Sequence, residues 1–391
     1  MQKAYHQALS LLRRASSTGG FLAADNPVDN YQRVWARDGV ICGMAALASQ
    51  EDDLIAVFKK TLQTLQEHQH PNGTIPSNVL FHENKNSEIS YGGLAGRVDA
   101  TTWYIIGVCH YTLSMQDFDF FKRHKKSIDQ CLTLLEAWEF NQQDLLYIPL
   151  SGNWADEYIT DGYVLYDQLL RLWGLRLLDK IEPNIAFSCK KESVEKQIKQ
   201  QFFPNQLEDL MHPRAYQMIQ KLDYLPCSFS PSGYKTRFDA FAHSLFLILN
   251  LGDSSIQNDI VNHFTDLIHS QKLKLSPAFW PPVFPEEQEW TLLSQNYKYA
   301  FRNFPFEFHN GGVWPMVNGF VGIAMYDNQN TKLASQILTA LNQVNEIENY
   351  GFYENFNAQT GLPNGVKSCA WSAAATVLLN QVIEQKFKFI T

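Results

Sequence analysis

The stretch Trp35-Ala36-Arg37-Asp38-Gly39-Val40-Ile41-Cys42-Gly43-Met44-Ala45-Ala46-Leu47 decides the fold. Its opening is polar and aromatic, and the run that follows is apolar on most faces of a helix. A helix of that kind must be covered on all sides. The next run, residues 52–69, differs: Leu54, Val57, Phe58, Leu62 and Leu65 recur at i, i+3, i+4 spacing and leave the opposite face polar. A helix buried all round, followed by a one-sided helix, is the unit of the chain.

The unit recurs. Apolar runs at 101–113, 163–178, 238–251, 313–326 and 368–383 alternate with amphipathic or charged runs at 117–140, 192–203, 256–271 and 331–346, and residues 2–15 supply the outer partner of the last. Six inner and six outer helices predict an all-α (α/α)6 barrel, one domain over residues 1–391. An open solenoid uses similar repeats. The closed toroid is favoured because a polar and aromatic cluster precedes each inner run, which brings the clusters to one end. The clusters are Trp35-Ala36-Arg37-Asp38, Arg97-Val98-Asp99-Ala100-Thr101-Thr102-Trp103, Asn153-Trp154-Ala155-Asp156-Glu157, Arg237-Phe238-Asp239, His309-Asn310-Gly311-Gly312-Val313-Trp314 and Tyr353-Glu354-Asn355-Phe356. The connections at 71–96 and 272–310 are long for a compact domain and are predicted to fold over the mouth.

Composition narrows the partners. Apolar residues are 45% of the chain, enough for a large core, and the net charge of -8 carries no basic stripe, which argues against nucleic acid. No apolar run reaches the ~18 residues of a membrane span. The six cysteines form no C-x-x-C pair, so no metal is expected, and no cofactor motif is present. The N-terminal residues lack a signal-like apolar stretch, which points to the cytoplasm. The number of associating copies is left open.

A floor of acids and indoles suits a sugar. Glycoside hydrolysis needs two carboxyl groups, one donating a proton to the leaving oxygen and the other activating water. Asp156 is the expected acid, with Trp154 two residues away to raise its pKa. Glu157 is the alternative, and both serve equally well as first-turn acids of a helix. Glu354, between aromatics in a loop, is the expected base, with Glu348 and Glu307 as rivals. Arg37 and Asp38 are read as a pair bracketing sugar hydroxyls or as a salt bridge at a helix start. Asp99 is read as a ligand or a cap. Trp35, Trp103, Trp154, Trp314 and Trp371 are candidate sugar platforms that fit a core equally well. His309 and Asn310 offer directed hydrogen bonds, and the glycines after them let backbone approach a ligand.

Several of these strings resemble one family. Glu307-Phe308-His309-Asn310-Gly311-Gly312-Val313-Trp314-Pro315 resembles the H-N-G-G-x-W-P segment of the neutral/alkaline invertases, family 100 glycoside hydrolases. Phe279-Trp280-Pro281-Pro282, Glu289-Trp290, Arg237-Phe238-Asp239-Ala240-Phe241-Ala242-His243-Ser244 and Tyr353-Glu354-Asn355-Phe356 with Ala370-Trp371-Ser372 are similar to further segments of it. The resemblance runs from about Tyr31 to Leu379. It implies an (α/α)6 barrel, no cofactor, inversion at the anomeric carbon of sucrose, Asp156 as general acid and Glu354 as second carboxylate. Trp35-Ala36-Arg37-Asp38 and Val98-Asp99-Ala100-Thr101-Thr102-Trp103 also resemble the α-1,6-glucosidase part of glycogen debranching enzymes, and Trp154-Ala155-Asp156-Glu157 lacks the basic residue that follows the acid in invertases. The expected activity is therefore an inverting glycosidase acting on a small α-glucoside, with sucrose first. A sugar epimerase, which needs paired histidines, and a non-catalytic carbohydrate-binding protein are the competing classes.

Overall fold

A computed structural model describes residues 2–82, 85–140, 143–219 and 222–391. Among them are fourteen α-helices: α1 (Gln2–Arg14), α2 (Ala36–Ser49), α3 (Asp52–Glu67), α4 (Val98–Met115), α5 (Phe118–Ala137), α6 (Leu165–Ile181), α7 (Ile185–Phe202), α8 (Pro213–Met218), α9 (Ala240–Ile248), α10 (Ser254–Ser270), α11 (Trp290–Gln295), α12 (Pro315–Asp327), α13 (Thr331–Tyr350) and α14 (Ala370–Ile383). The predicted inner runs coincide with α2, α4, α6, α9, α12 and α14, which are buried along nearly their whole lengths. They touch in cyclic order: α2 meets α4, α4 meets α6, α6 meets α9, α9 meets α12, α12 meets α14, and α14 returns to α2. Helices α3, α5, α7 and α13 pack on α2, α4, α6 and α12, and α1 packs on α14.

Four of the amphipathic helices start on side-chain caps. Asp117 accepts from the Phe120 N–H, Asn184 from Phe187, Asp253 from Ser255 and Ile256, and Asn330 from Leu333. Each such cap stabilises by about 1 kcal/mol. The inner helices mostly begin differently, directly out of short extended segments. Val34–Trp35 pairs with the hairpin Asn78–His82/Lys85–Ser90, Tyr163–Val164 with Ser228–Ser230, Phe238–Asp239 with Phe279–Trp280, and Asn355–Phe356 with Pro363–Asn364. These small antiparallel sheets correct the almost wholly helical expectation. Most of these strands are two or three residues long, too short for a period-2 pattern to register, and they take up backbone groups that would otherwise be unpaired at the ends of buried helices. Helices α8 and α11 were likewise not expected.

Close packing of the inner helices depends on small residues. A Cβ on Gly319 of α12 would lie 2.6 Å from the Cβ and 2.9 Å from the Cα of Ala375 on α14. Backbone cannot swing aside as a side chain can. Overpacking costs about 1–3 kcal/mol, whereas alanine gains at most ~1 kcal/mol of helix propensity over glycine. Gly319→Ala is therefore expected to destabilise, read as a lower urea midpoint with an unchanged m-value.

Candidate active site

One cavity of about 720 Å³ opens at the end where the clusters gather. Trp35, Arg37 and Asp38 from the start of α2, Arg97 before α4, Trp154, Asp156 and Glu157, His309 and Trp314 before α12, Glu354, and Trp371 at the start of α14 all line it. The cluster before α9 contributes nothing. Asp239 caps that helix through the Phe241 and Ala242 N–H groups, and Arg237 pairs with Glu287 and Glu289. Both long connections reach the cavity, one through Ser77, Asn78 and residues 92–95, the other through residues 296–300 and Arg302.

Asp156 and Glu354 come from opposite halves of the chain and differ in charge state. Arg97 Nη2 donates to Asp156 Oδ2 at 2.9 Å, while its Nη1 holds the carbonyls of Gly92, Gly96 and Ser151. Burial pushes the Asp156 carboxyl up, but Arg97 above all, with Arg37, holds it below the usual carboxylate range. The expectation that Trp154 raises the Asp156 pKa is thus corrected: the ion pair outweighs the indole. Glu354 goes the other way. Burial raises it to about 7, against the pull of Arg302 and the Tyr31 hydroxyl. Glu157 is also raised by burial, in spite of Arg302 at 3.4 Å. Of the three rivals for the base, Glu348 is bonded to Tyr353 and Lys367, Glu307 accepts from Asn357, and only Glu354 lines the cavity.

The Glu354 loop is held in costly geometry. Glu348, Asn349, Tyr350 and Phe352 all have positive φ, each costing on the order of 1 kcal/mol for a non-glycine residue. The carboxylate-bearing residue is then anchored by its N–H on the Val366 carbonyl at 2.8 Å.

Three expected sugar ligands lie outside the cavity. Asp99 is buried and accepts from Arg37 Nη1 at 2.8 Å and from the Tyr166 hydroxyl at 3.2 Å, and Tyr166 in turn accepts from Trp103 Nε1 at 2.8 Å. Asp99 and Trp103 therefore fix Arg37 from behind. Arg37 takes Asp99 as its hydrogen-bonded partner, where the sequence pointed to the adjacent Asp38. Asn310 spends its amide on the backbone of Val283 and Asn303. Gly311 and Gly312 pack against Pro282 and the Phe308 backbone, and neither lines the cavity. His309 is buried, stacks on Trp314 with ring centroids 4.7 Å apart, and has no hydrogen-bond partner on either ring nitrogen among the described residues. Burial pushes it down to about 3, so it is neutral, with one nitrogen able to donate and the other to accept. Its Nε2 lies 4.0 Å from Asp156 Oδ1. Burial pushes Asp38 up to about 6.

Sequence reasoning missed Tyr31 and Arg302. Tyr31 sits in a polar loop with no periodic signal, yet its hydroxyl donates to Glu354 Oε1 at 2.6 Å. Arg302 lies in the long 272–310 connection, pairs with Glu157, and rests 4.2 Å from the Phe308 ring. No group of three or more His, Cys, Asp or Glu able to hold a metal occurs among the described residues. None of the described helices is long and apolar enough to cross a membrane.

The fold is one that glycosidases use. The chain superposes on the GH63 mannosylglycerate hydrolase from Thermus thermophilus in complex with Tris with a TM-score of 0.70 at 13% identity, covering 96% of this chain and 100% of that one. A wild-type glycosidase gives 0.64 at 10% identity over 98% and 96%. The rhamnosidase from Klebsiella oxytoca with rhamnose bound gives 0.64 at 11% identity over 97% and 63%. No curated protein matches the sequence. The family comparison is more specific. Residues 178–386, just over half the chain, match the alkaline and neutral invertases of glycoside hydrolase family 100. The chain belongs to that family and is a glycosidase.

Proposed function

We propose that this protein is an inverting α-glucosidase whose first substrate is sucrose, built as a single-domain (α/α)6 barrel and working by general acid and base catalysis. The cyclic contacts of the six buried helices support the barrel. The observation that carries the mechanism is that Asp156 and Glu354, 198 positions apart in sequence, line one cavity walled by tryptophans. In this reading Glu354 takes a proton from water as the water oxygen bonds to the anomeric carbon. The glycosidic bond breaks, and Asp156 protonates the leaving oxygen. Arg37, Asp38 and His309 hold glucose hydroxyls, with Trp35, Trp154, Trp314 and Trp371 around the ring. Asp99, Trp103 and Asn310 act one layer behind.

A base with a pKa near 7 is well matched to neutral or alkaline operation, which suits the family's description. A second reading, an α-glycoside carrying glycerate, is favoured by the basic Arg97, Lys298 and Arg302 on the cavity wall and by the mannosylglycerate hydrolase fold neighbour. The deciding experiment offers sucrose, isomaltose, maltose, trehalose and glucosylglycerate, and follows the released anomer by NMR. Sucrose should be cleaved fastest, with β-glucose appearing first. Fastest turnover of glucosylglycerate selects the second reading, and first release of α-glucose would overturn inversion.

A further inference from the structure

Tyr31 and Glu354 are 323 positions apart, yet the loops that carry them are tied to one strip of backbone. From the Tyr31 side, the Ala370 N–H donates to the Ala23 carbonyl, Asp25 donates to Ser368, and Ala24 bridges Cys369. From the Glu354 side, Glu354 donates to Val366 and Cys369 donates to Phe352. Tyr31 is also fixed within its own loop: its N–H donates to Val28 at 3.1 Å and its carbonyl accepts from Ala24 at 3.1 Å. The phenol thus arrives at Glu354 Oε1 from an independently anchored position. On the other oxygen, Asn355 Nδ2 stands 3.4 Å from Oε2. A Cβ on Gly365 (φ 73°) would come within 2.5 Å of Oε2, so glycine there leaves the carboxylate its space.

We propose that Tyr31 is a positioning residue for the hydrolysis: its hydroxyl locks the plane of the Glu354 carboxylate, so that an oxygen is aimed at the attacking water. The inference rests on the reading of Glu354 as base. A phenol donating to a carboxylate at 2.6 Å makes a charge-assisted bond. It favours the ionised form, the one that accepts a proton. The phenol itself keeps its proton throughout, because burial and the neighbouring Glu354 charge push its pKa well up. Misplacing a reacting group by about 1 Å costs up to ~10²-fold in rate, and without the hydroxyl the carboxylate keeps the long Asn355 hydrogen bond beside the non-directional pull of the Arg302 charge.

The test is Tyr31→Phe in the full chain, with kcat, KM and the pH dependence of kcat/KM measured on the best substrate of the panel, alongside Glu354→Gln. The expected result is a kcat lower by about 10- to 100-fold, a KM changed by less than about threefold, and the kcat/KM limb set by Glu354 near pH 7 moved to higher pH because the ionised base has lost a donor. A parent-like kcat and limb in Tyr31→Phe, with Glu354→Gln inactive, overturns the role of Tyr31 and leaves the base in place. Activity retained in Glu354→Gln overturns the base itself. If Tyr31→Phe does not fold, site-specific 3-fluorotyrosine at position 31 gives a stronger donor and should move the limb to lower pH. An unmoved limb there overturns the proposal.

Discussion

Glu354→Gln is expected to lose about 10²–10⁴-fold in kcat and, at pH 8, to be more stable than the parent. The two effects share a cause. Glu354 is buried and its carboxyl is raised from an ordinary value near 4.5 to about 7. In the unfolded chain the group ionises near 4.5, whereas in the fold it holds its proton until about 7. Between these values the folded state binds more protons than the unfolded state, so stability falls as pH rises. Above about 7 the full cost, on the order of 3 kcal/mol, is present. Glutamine removes the charge and keeps an oxygen to accept from Tyr31. The variant should therefore match the parent near pH 4 and exceed it at pH 8 in urea denaturation. On the kinetic side, the free enzyme must hold Glu354 ionised and Asp156 protonated at once. Because Asp156 titrates below Glu354, that form is a constant small fraction between their two pKa values, so kcat/KM of the parent should be level just below about 7 and fall tenfold per pH unit above it. Turnover near the parent's would remove Glu354 from the chemistry, and equal stability at the two pH values would refute the buried charge.

The alternation of all-round apolar and one-sided runs made the helices legible, because burial on every face leaves a compositional mark on each residue, as along 36–49 and 370–383. Pairings across long sequence separations were not. Nothing near Arg37 indicates that its partner is Asp99 rather than Asp38, since that depends on how α2 and α4 sit against each other. Likewise Asp156 reads as a carboxyl beside an indole until Arg97, 59 positions earlier, is placed against it. Tyr31 and Arg302 lie in segments without periodicity, the first placed by backbone bonds to residues 368–370 and the second by Asn303, which donates to the distant Glu157 carbonyl. The sequence located the clusters that supply most of the cavity wall. Which members face inward depended on local rotations, and these placed Asp99, Trp103 and Asn310 one layer behind it.

Asp156→Asn is expected to lose about 10²–10⁴-fold on sucrose but under about tenfold on α-glucosyl fluoride. Fluoride departs without a proton, so an enzyme lacking only its acid still hydrolyses it, and an enzyme lacking its base does not. The comparison is needed because the resting charge states favour the opposite assignment. Arg97 holds Asp156 ionised, whereas a Glu354 that titrates near 7 is half protonated at neutral pH. For Asp156 to donate, bound substrate must compete for Arg97 and shield the carboxylate, which raises its pKa toward that of a working acid. The strong acidity that makes the protonated form scarce also increases the drive to transfer the proton once it is there. Three variants separate the possibilities. If Asp156→Asn alone keeps fluoride hydrolysis, Asp156 is the acid. If Glu354→Gln keeps it instead, the two carboxyls exchange roles while inversion stands. If Glu157→Gln shows the split, the donor is the adjacent residue, whose burial already raises its pKa, and the Arg97–Asp156 pair is then a structural wall of the same cavity.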